Sequence, residues 1–188
     1  LLVDLDPQGQ SATALGRSPE PGVFYLLTMG MSQQETNFIN SWVRFSGREG
    51  LHILPGDQQT MAAQTVLNAQ DRPVSAIRQT VSRFFKDGPD YILFDTAPSV
   101  GGIQERAVWA SDLVIVPTAT EFLSADGVGK VLGMMSILQS KKNWRGNLLG
   151  ILPTFYDEQT RESKATIEDL KARFASSLLP PIHRSTLL

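Results

Sequence analysis

The chain of 188 residues contains no cysteine. That excludes a disulfide scaffold and any thiolate metal site. It has only two histidines, His52 and His183, far apart in sequence, so an imidazole-based metal site is disfavoured. It has little net charge: 17 Lys and Arg against 19 Asp and Glu give −2. The chain as a whole is therefore not a polycation drawn to nucleic acid or anionic lipid, and any such binding needs a local basic patch. Long apolar runs are also missing. None approaches the ~18–20 residues of a membrane span. No repeat or low-complexity tract is present. What remains is a hydrophobic fraction of 41%, enough for a real core in one domain of ordinary size.

Short apolar runs occur at residues 1–5, 91–94, 113–116 and 148–152, with a weaker one at 51–54. Runs that do not alternate with polar residues predict strands buried on both faces. Between them the apolar positions recur with helical spacing. Ile77, Val81, Phe84 and Phe85 share one face of residues 74–85. Val128, Val131, Leu132, Met135 and Leu138 share one face of residues 128–138. Ile167, Leu170 and Phe174 form a stripe within 160–174. Strands alternating with helices predict an α/β fold, a mostly parallel sheet with helices on both faces. Residues 18–50 are less regular, with Pro19, Pro21, Gly22, Gly30, Gly47 and Gly50, and read as a variable helical insertion in a single domain.

Parallel sheets bind ligands at the carboxyl ends of their strands. Two such ends carry acids. Tyr91-Ile92-Leu93-Phe94-Asp95 is four apolar residues closed by Asp95, the Walker B pattern, in which the acid holds a water of a hydrated Mg²⁺. The plainer role is a cap for the next helix, starting at Gly101 or Gly102. The opening LLVDLDPQGQ places Asp4 and Asp6 two residues apart, so on an extended strand both point the same way. Two like charges side by side repel, and a cation or a polarised water between them and a phosphate relieves that. Gln8 and Gly9 suit a loop that bends around a ligand. Residues 127–130, Gly-Val-Gly-Lys, imitate a phosphate loop, but Val131 lacks the required hydroxyl and no apolar strand precedes the stretch directly.

The blocks LLVDLDPQGQSATALG, YILFDTAPSVGGIQERAVWASDLVIVPTATEFLSADGVGKVL and LLGILPTFYDEQTRESKATIEDLKARF stand in the order seen in the ParA/Soj family of partitioning ATPases. These are deviant Walker-type P-loop proteins related to MinD. The chain resembles that family over nearly all its length outside 18–50. The resemblance implies ATP and Mg²⁺ as cofactors. It implies Asp6 as the residue that positions the attacking water, Asp4 as the acid near Mg²⁺ and the phosphate-loop hydroxyl, and Asp95 as the Walker B acid. Gln8 belongs to the nucleotide-facing switch loop, and Pro180 and Pro181 resemble the segment against the adenine. The family's K-G-G-V-G-K-T-T loop has no counterpart here. The expectation is therefore a fragment of a longer reading frame, cut at both ends, that binds ATP poorly on its own.

The resemblance further implies a cytoplasmic, nucleoid-associated switch that dimerises with ATP, binds DNA without sequence preference and is stimulated by a ParB-like partner. A MinD-like membrane role is the lesser possibility. Basic candidates for DNA are Arg161, Lys164, Lys171, Arg173 and Arg184, with Lys141, Lys142 and Arg145 as a second cluster. Interleaved Glu158, Glu162, Glu168 and Asp169 also fit an ordinary solvated helix face. The competing function is an ATP-dependent ligase of the cobyrinic acid a,c-diamide synthase or dethiobiotin synthetase type, which uses a similar acid pair.

Overall fold

The structure is a computed structural model that describes residues 1–29, 33–85, 88–98, 102–120 and 124–185. Gly30, Ser99 and Gly101 lie outside the described residues, as does the side chain of Phe84. The chain folds into two compact units, Leu1–Ala110 and Ser111–Leu188.

The first unit opens with β1 (Leu2–Asp4) and the short α1 (Gln10–Ala14), followed by α2 (Gly22–Thr28) and α3 (Gln33–Asn40). Then come β2 (Arg44–Phe45), β3 (His52–Leu54), α4 (Gln59–Ala69) and α5 (Ala76–Phe84). It closes with β4 (Leu93–Asp95) and α6 (Gly102–Ala110). The sheet order is β2-β3-β1-β4. β1 runs parallel to both β3 and β4, while β2 is antiparallel to β3. Each apolar run predicted in this part of the chain forms a strand, with ends shifted by one or two residues.

Val3, Leu54, Val23, Leu26, Ile39 and Ile77 are fully or almost fully buried in one cluster. Each side chain of this kind contributes roughly 1.5–3 kcal/mol on leaving water. Residues 18–50 therefore hold α2, α3 and β2 and supply core side chains as well as surface. In α5 the predicted stripe is observed for Ile77 and Val81, both buried, with Phe85 packed against the cluster.

The second unit contains β5 (Leu113–Ala119), α7 (Ser124–Lys142), β6 (Asn147–Thr154) and α8 (Arg161–Phe174), ending in a 3₁₀ turn at Ala175–Ser177. β5 and β6 pair in parallel over seven registered pairs from Leu113↔Asn147 to Ala119↔Thr154, with an irregularity between Val114 and Ile115. Val116, Val128 and Ile151 form the buried centre of this unit. Thr160 caps α8, its side chain accepting from the Ser163 amide at 3.3 Å. Residues 127–130 lie inside α7 and form no loop, in keeping with the rejection of a phosphate cradle there.

One expectation is corrected. The apolar runs predicted burial on both strand faces, yet Leu93 is 60% exposed and Leu113 56% exposed. Among the described residues β4 has a single neighbour in its sheet and β5 pairs only with β6, so each leaves one edge and part of its side-chain surface open.

Candidate functional site

Asp4 and Asp95 end adjacent parallel strands and are registered directly opposite each other. The Leu5 amide donates to the Asp95 carbonyl at 2.8 Å and ties the two tips together. The side chains live in different surroundings. Asp4 is completely buried, and Asp95 is exposed. Burial pushes the Asp4 carboxyl up from its ordinary 3.8 to about 6. The negative charge of Asp95 adds to this, while the nearby backbone amides of Ala12 and Asp6 oppose it.

Asp4 Oδ2 accepts the Ala12 amide at 3.4 Å, and Asp4 Oδ1 is buried with no hydrogen-bond partner among the described residues. A buried acceptor left unpaired costs ~1–3 kcal/mol. An incoming cation or donor relieves that cost.

The pairing of Asp4 with Asp6 on a continuing strand is not observed. β1 ends at Asp4, and Asp6 sits in a turn, half-buried. Pro7 supplies no amide for a ladder, and the chain bends there. The Asp6 side chain folds onto its own backbone: Oδ1 accepts the Gln8 amide at 2.9 Å, and its carbonyl accepts the Gly9 amide at 3.1 Å. Gln8 is exposed. Asp6 is thus an acid carried on the turn beside Asp4, not its strand partner.

Two glycines let the loops close on this site. Gly9 enters α1 with φ 63°, a left-handed backbone that a side chain disfavours. Gly56 follows β3, and a Cβ built on it would lie 2.1 Å from the Asp4 carbonyl oxygen. A Cβ on Gly9 would in turn lie 2.7 Å from the Gly56 carbonyl oxygen. The strand tip, the β3 exit and the entry to α1 are therefore in backbone contact. Sequence reasoning missed Gly56. The signal was present as a glycine directly after a strand-ending Leu-Pro. It also missed Ser11, whose hydroxyl donates to Asp95 Oδ2 at 2.5 Å, and nothing in the local sequence announces that bond.

Among the described residues the Asp95 side chain accepts from Ser11 and from no amide of α6, and the turn before α6, where a cap would act, lies outside them. The donor set is all oxygen. It suits a hard cation such as Mg²⁺, which needs one or two carboxylates and takes the rest of its shell from waters and phosphates. Among the described residues no group of three or more His, Cys, Asp or Glu gathers to bind a metal alone.

The other candidates lie in the second unit. Leu179 and Ile182 donate their amides to Ile151 and Pro153 of β6, and Arg184 donates to Tyr156 just beyond it. Pro180 and Pro181 are carried in this segment, the former exposed and the latter half-buried. A cavity of about 380 Å³ opens beside it, lined by Thr120, Phe155, Asp157, Glu162 and Arg184 among others; neither proline lines it. Arg161, Lys164 and Lys171 are exposed on α8, whereas Arg173 is engaged with Asp169 at 2.8 Å. Lys141, Lys142 and Arg145 are exposed at and beyond the end of α7. Among the described residues no helix is long and apolar enough to cross a membrane.

The model of the AAA_31 family, an AAA domain, matches residues 1–147. The chromosome-partitioning ATPase Soj of Thermus thermophilus is 30% identical over 178 residues, 95% of this chain and 66% of that protein. The chain thus spans just under two thirds of that relative's length. A solved structure of cobyrinic acid a,c-diamide synthase from Mycobacterium smegmatis, with a bound ATP analogue and magnesium, superposes with a TM-score of 0.81 at 30% identity, over 98% of this chain and 74% of that one. Apo McdA of Cyanothece superposes with a TM-score of 0.82 at 18% identity, over 98% of this chain and 74% of that one, a likeness of fold.

Proposed function

This chain belongs to the AAA_31 family, together with the Soj and ParA partitioning ATPases, and on that premise we propose that it is the core of a ParA-like ATP-driven switch that segregates DNA. The observation that carries the reading is the pair of opposed strand-end acids, with Asp4 Oδ1 buried and, among the described residues, unpartnered. A nucleotide-bound Mg²⁺, when present, supplies charge neutralisation at the transferring phosphate. Asp95 and Asp4 are the residues that would hold the hydrated ion. Asp6, on its turn, orients the attacking water and accepts its proton. Gln8, exposed on the same loop, would face the nucleotide. Dimerisation with ATP, sequence-independent DNA binding through Arg161, Lys164 and Arg184, and stimulation by a ParB-like partner belong to this reading. So does a cytoplasmic, nucleoid-associated location.

The test uses the full-length protein. Asp6→Ala is expected to lose nearly all single-turnover hydrolysis while keeping ATP affinity. Asp95→Ala is expected to weaken binding only where Mg²⁺ is required. Wild-type turnover in Asp6→Ala would remove the assignment.

The 30% identity to the mycobacterial synthase supports a second reading, an ATP-dependent ligase acting on a carboxylate. Hydrolysis stimulated by DNA and a partner favours the switch. Turnover that requires glutamine or ammonia with a carboxylate substrate favours the ligase. The D-P-Q-G and D-T-x-P-S blocks together support the switch.

A further inference from the structure

The first turn of α1 holds one oxygen of each acid and leaves the other. Ala12 gives its amide to Asp4 Oδ2 at 3.4 Å, and its neighbour Ser11 gives its hydroxyl to Asp95 Oδ2 at 2.5 Å. Among the described residues Asp4 Oδ1 has no partner, and Asp95 makes no hydrogen bond through Oδ1. A serine in a helix can bond back to a backbone carbonyl of its own segment. Ser11 instead reaches a residue 84 positions away in sequence. Asp95 is exposed, and among the described residues no other side chain restrains its carboxylate, whose terminal torsion is otherwise broad.

From this geometry we infer that Ser11 is a positioning residue for Asp95: it fixes the carboxylate plane so that one oxygen stays available to a divalent cation's water, and it couples α1 to the strand tips. The inference rests on the Mg²⁺-nucleotide reading above and adds to it a residue outside the acid set. Groups that orient metal-binding carboxylates commonly change metal affinity by ~10–100-fold when removed. Because the bond is a single exposed one, the low end of that range applies. The alanine variant is expected to fold, since alanine is the best helix former and Ser11 is only half-buried.

The experiment measures equilibrium binding of a non-hydrolysable ATP analogue to the full-length protein, titrated against Mg²⁺ and repeated in EDTA. Ser11→Ala should raise the Mg²⁺ concentration at half-saturation about tenfold and leave binding in EDTA unchanged. Ser11→Thr, which keeps the hydroxyl, should restore the midpoint. In an Asp95→Asn background, adding Ser11→Ala should move the midpoint by less than about twofold, because the two residues then act as one unit. An unmoved midpoint in Ser11→Ala, an equal loss in EDTA, or a full additional effect in the Asp95→Asn background each overturns the positioning role alone. Absence of any Mg²⁺-dependent binding in the wild type overturns the nucleotide reading and this role with it.

Discussion

Each unit of this chain is built on parallel strands, and the strands end in different chemistry. β1 and β4 finish in Asp4 and Asp95, one fully buried and one exposed. β5 and β6 finish in Ala119 and Thr154, with no acid at either tip. In the first unit the loops close so tightly on the tips that backbone meets backbone at Gly56 and Gly9. In the second, the loop after β6 leads to a helix capped in the ordinary way by Thr160. In one unit the acids terminate the strands themselves, under loops in backbone contact; in the other the strands end in uncharged residues, and the acids Asp157 and Glu162 lie beyond them. Like charges placed together carry a free-energy cost that a fold keeps only where something else compensates it.

Mutations sharpen this contrast. The largest effect is expected for Gly56→Ala. Its Cβ would lie 2.1 Å from the Asp4 carbonyl, a backbone atom that cannot step aside. A loss of about 3 kcal/mol follows, at the upper end for overpacking, and chemical denaturation reads it directly. A change below about 1 kcal/mol would mean that the contact between the β3 exit and the β1 tip relaxes freely.

Next comes Asp4. With its carboxyl raised from 3.8 to about 6, the folded chain keeps a proton that the unfolded chain has already released. The folded state therefore binds more protons between these values, and stability falls as pH rises from 3.8 through about 6. The total decline attributable to Asp4 is about 3 kcal/mol. Asp4→Asn should flatten most of it, seen as urea midpoints that converge between acid and neutral pH. An equally steep decline in the variant would place the proton elsewhere.

The second unit should respond more mildly. Thr160→Ala removes the side-chain cap of α8 and is expected to cost about 1 kcal/mol, a fall of about 2–4 °C in melting temperature. Smallest is Arg173→Ala. Its partner Asp169 lies one turn earlier at 2.8 Å, with both side chains about half exposed. Such pairs contribute roughly 0.3–0.5 kcal/mol and fade with salt. A loss above about 1 kcal/mol would give that helix face a role beyond solvation.

Much of this was readable in the residues. The runs at 1–5, 51–54, 91–94, 113–116 and 148–152 all became strands, because an unbroken apolar stretch bounded by turn residues has few other ways to be buried. The stripe of Ile167, Leu170 and Phe174 became the inward face of α8, with Ile167 and Leu170 buried. Asp95 at the end of its run was legible for the same reason. The pairing of Asp4 with Asp6 was not, because period-two spacing holds only while the strand lasts, and the strand stops one residue before Leu5. Nor could apolar content alone show that Leu93 and Leu113 would be exposed, since exposure depends on which neighbours a strand has.

The sequence by itself determined the alternation of strands and helices and the presence of acids at two strand ends, both local consequences of hydrophobic period and turn chemistry. Tertiary structure alone decided that those ends lie opposite each other, since that register depends on strand order. It decided that Asp4 is buried while Asp6 folds onto its own turn, because burial is set by Gly56 and the α1 entry closing from distant parts of the chain. It also decided that Ser11 and Asp95 meet, across a separation that no local pattern encodes.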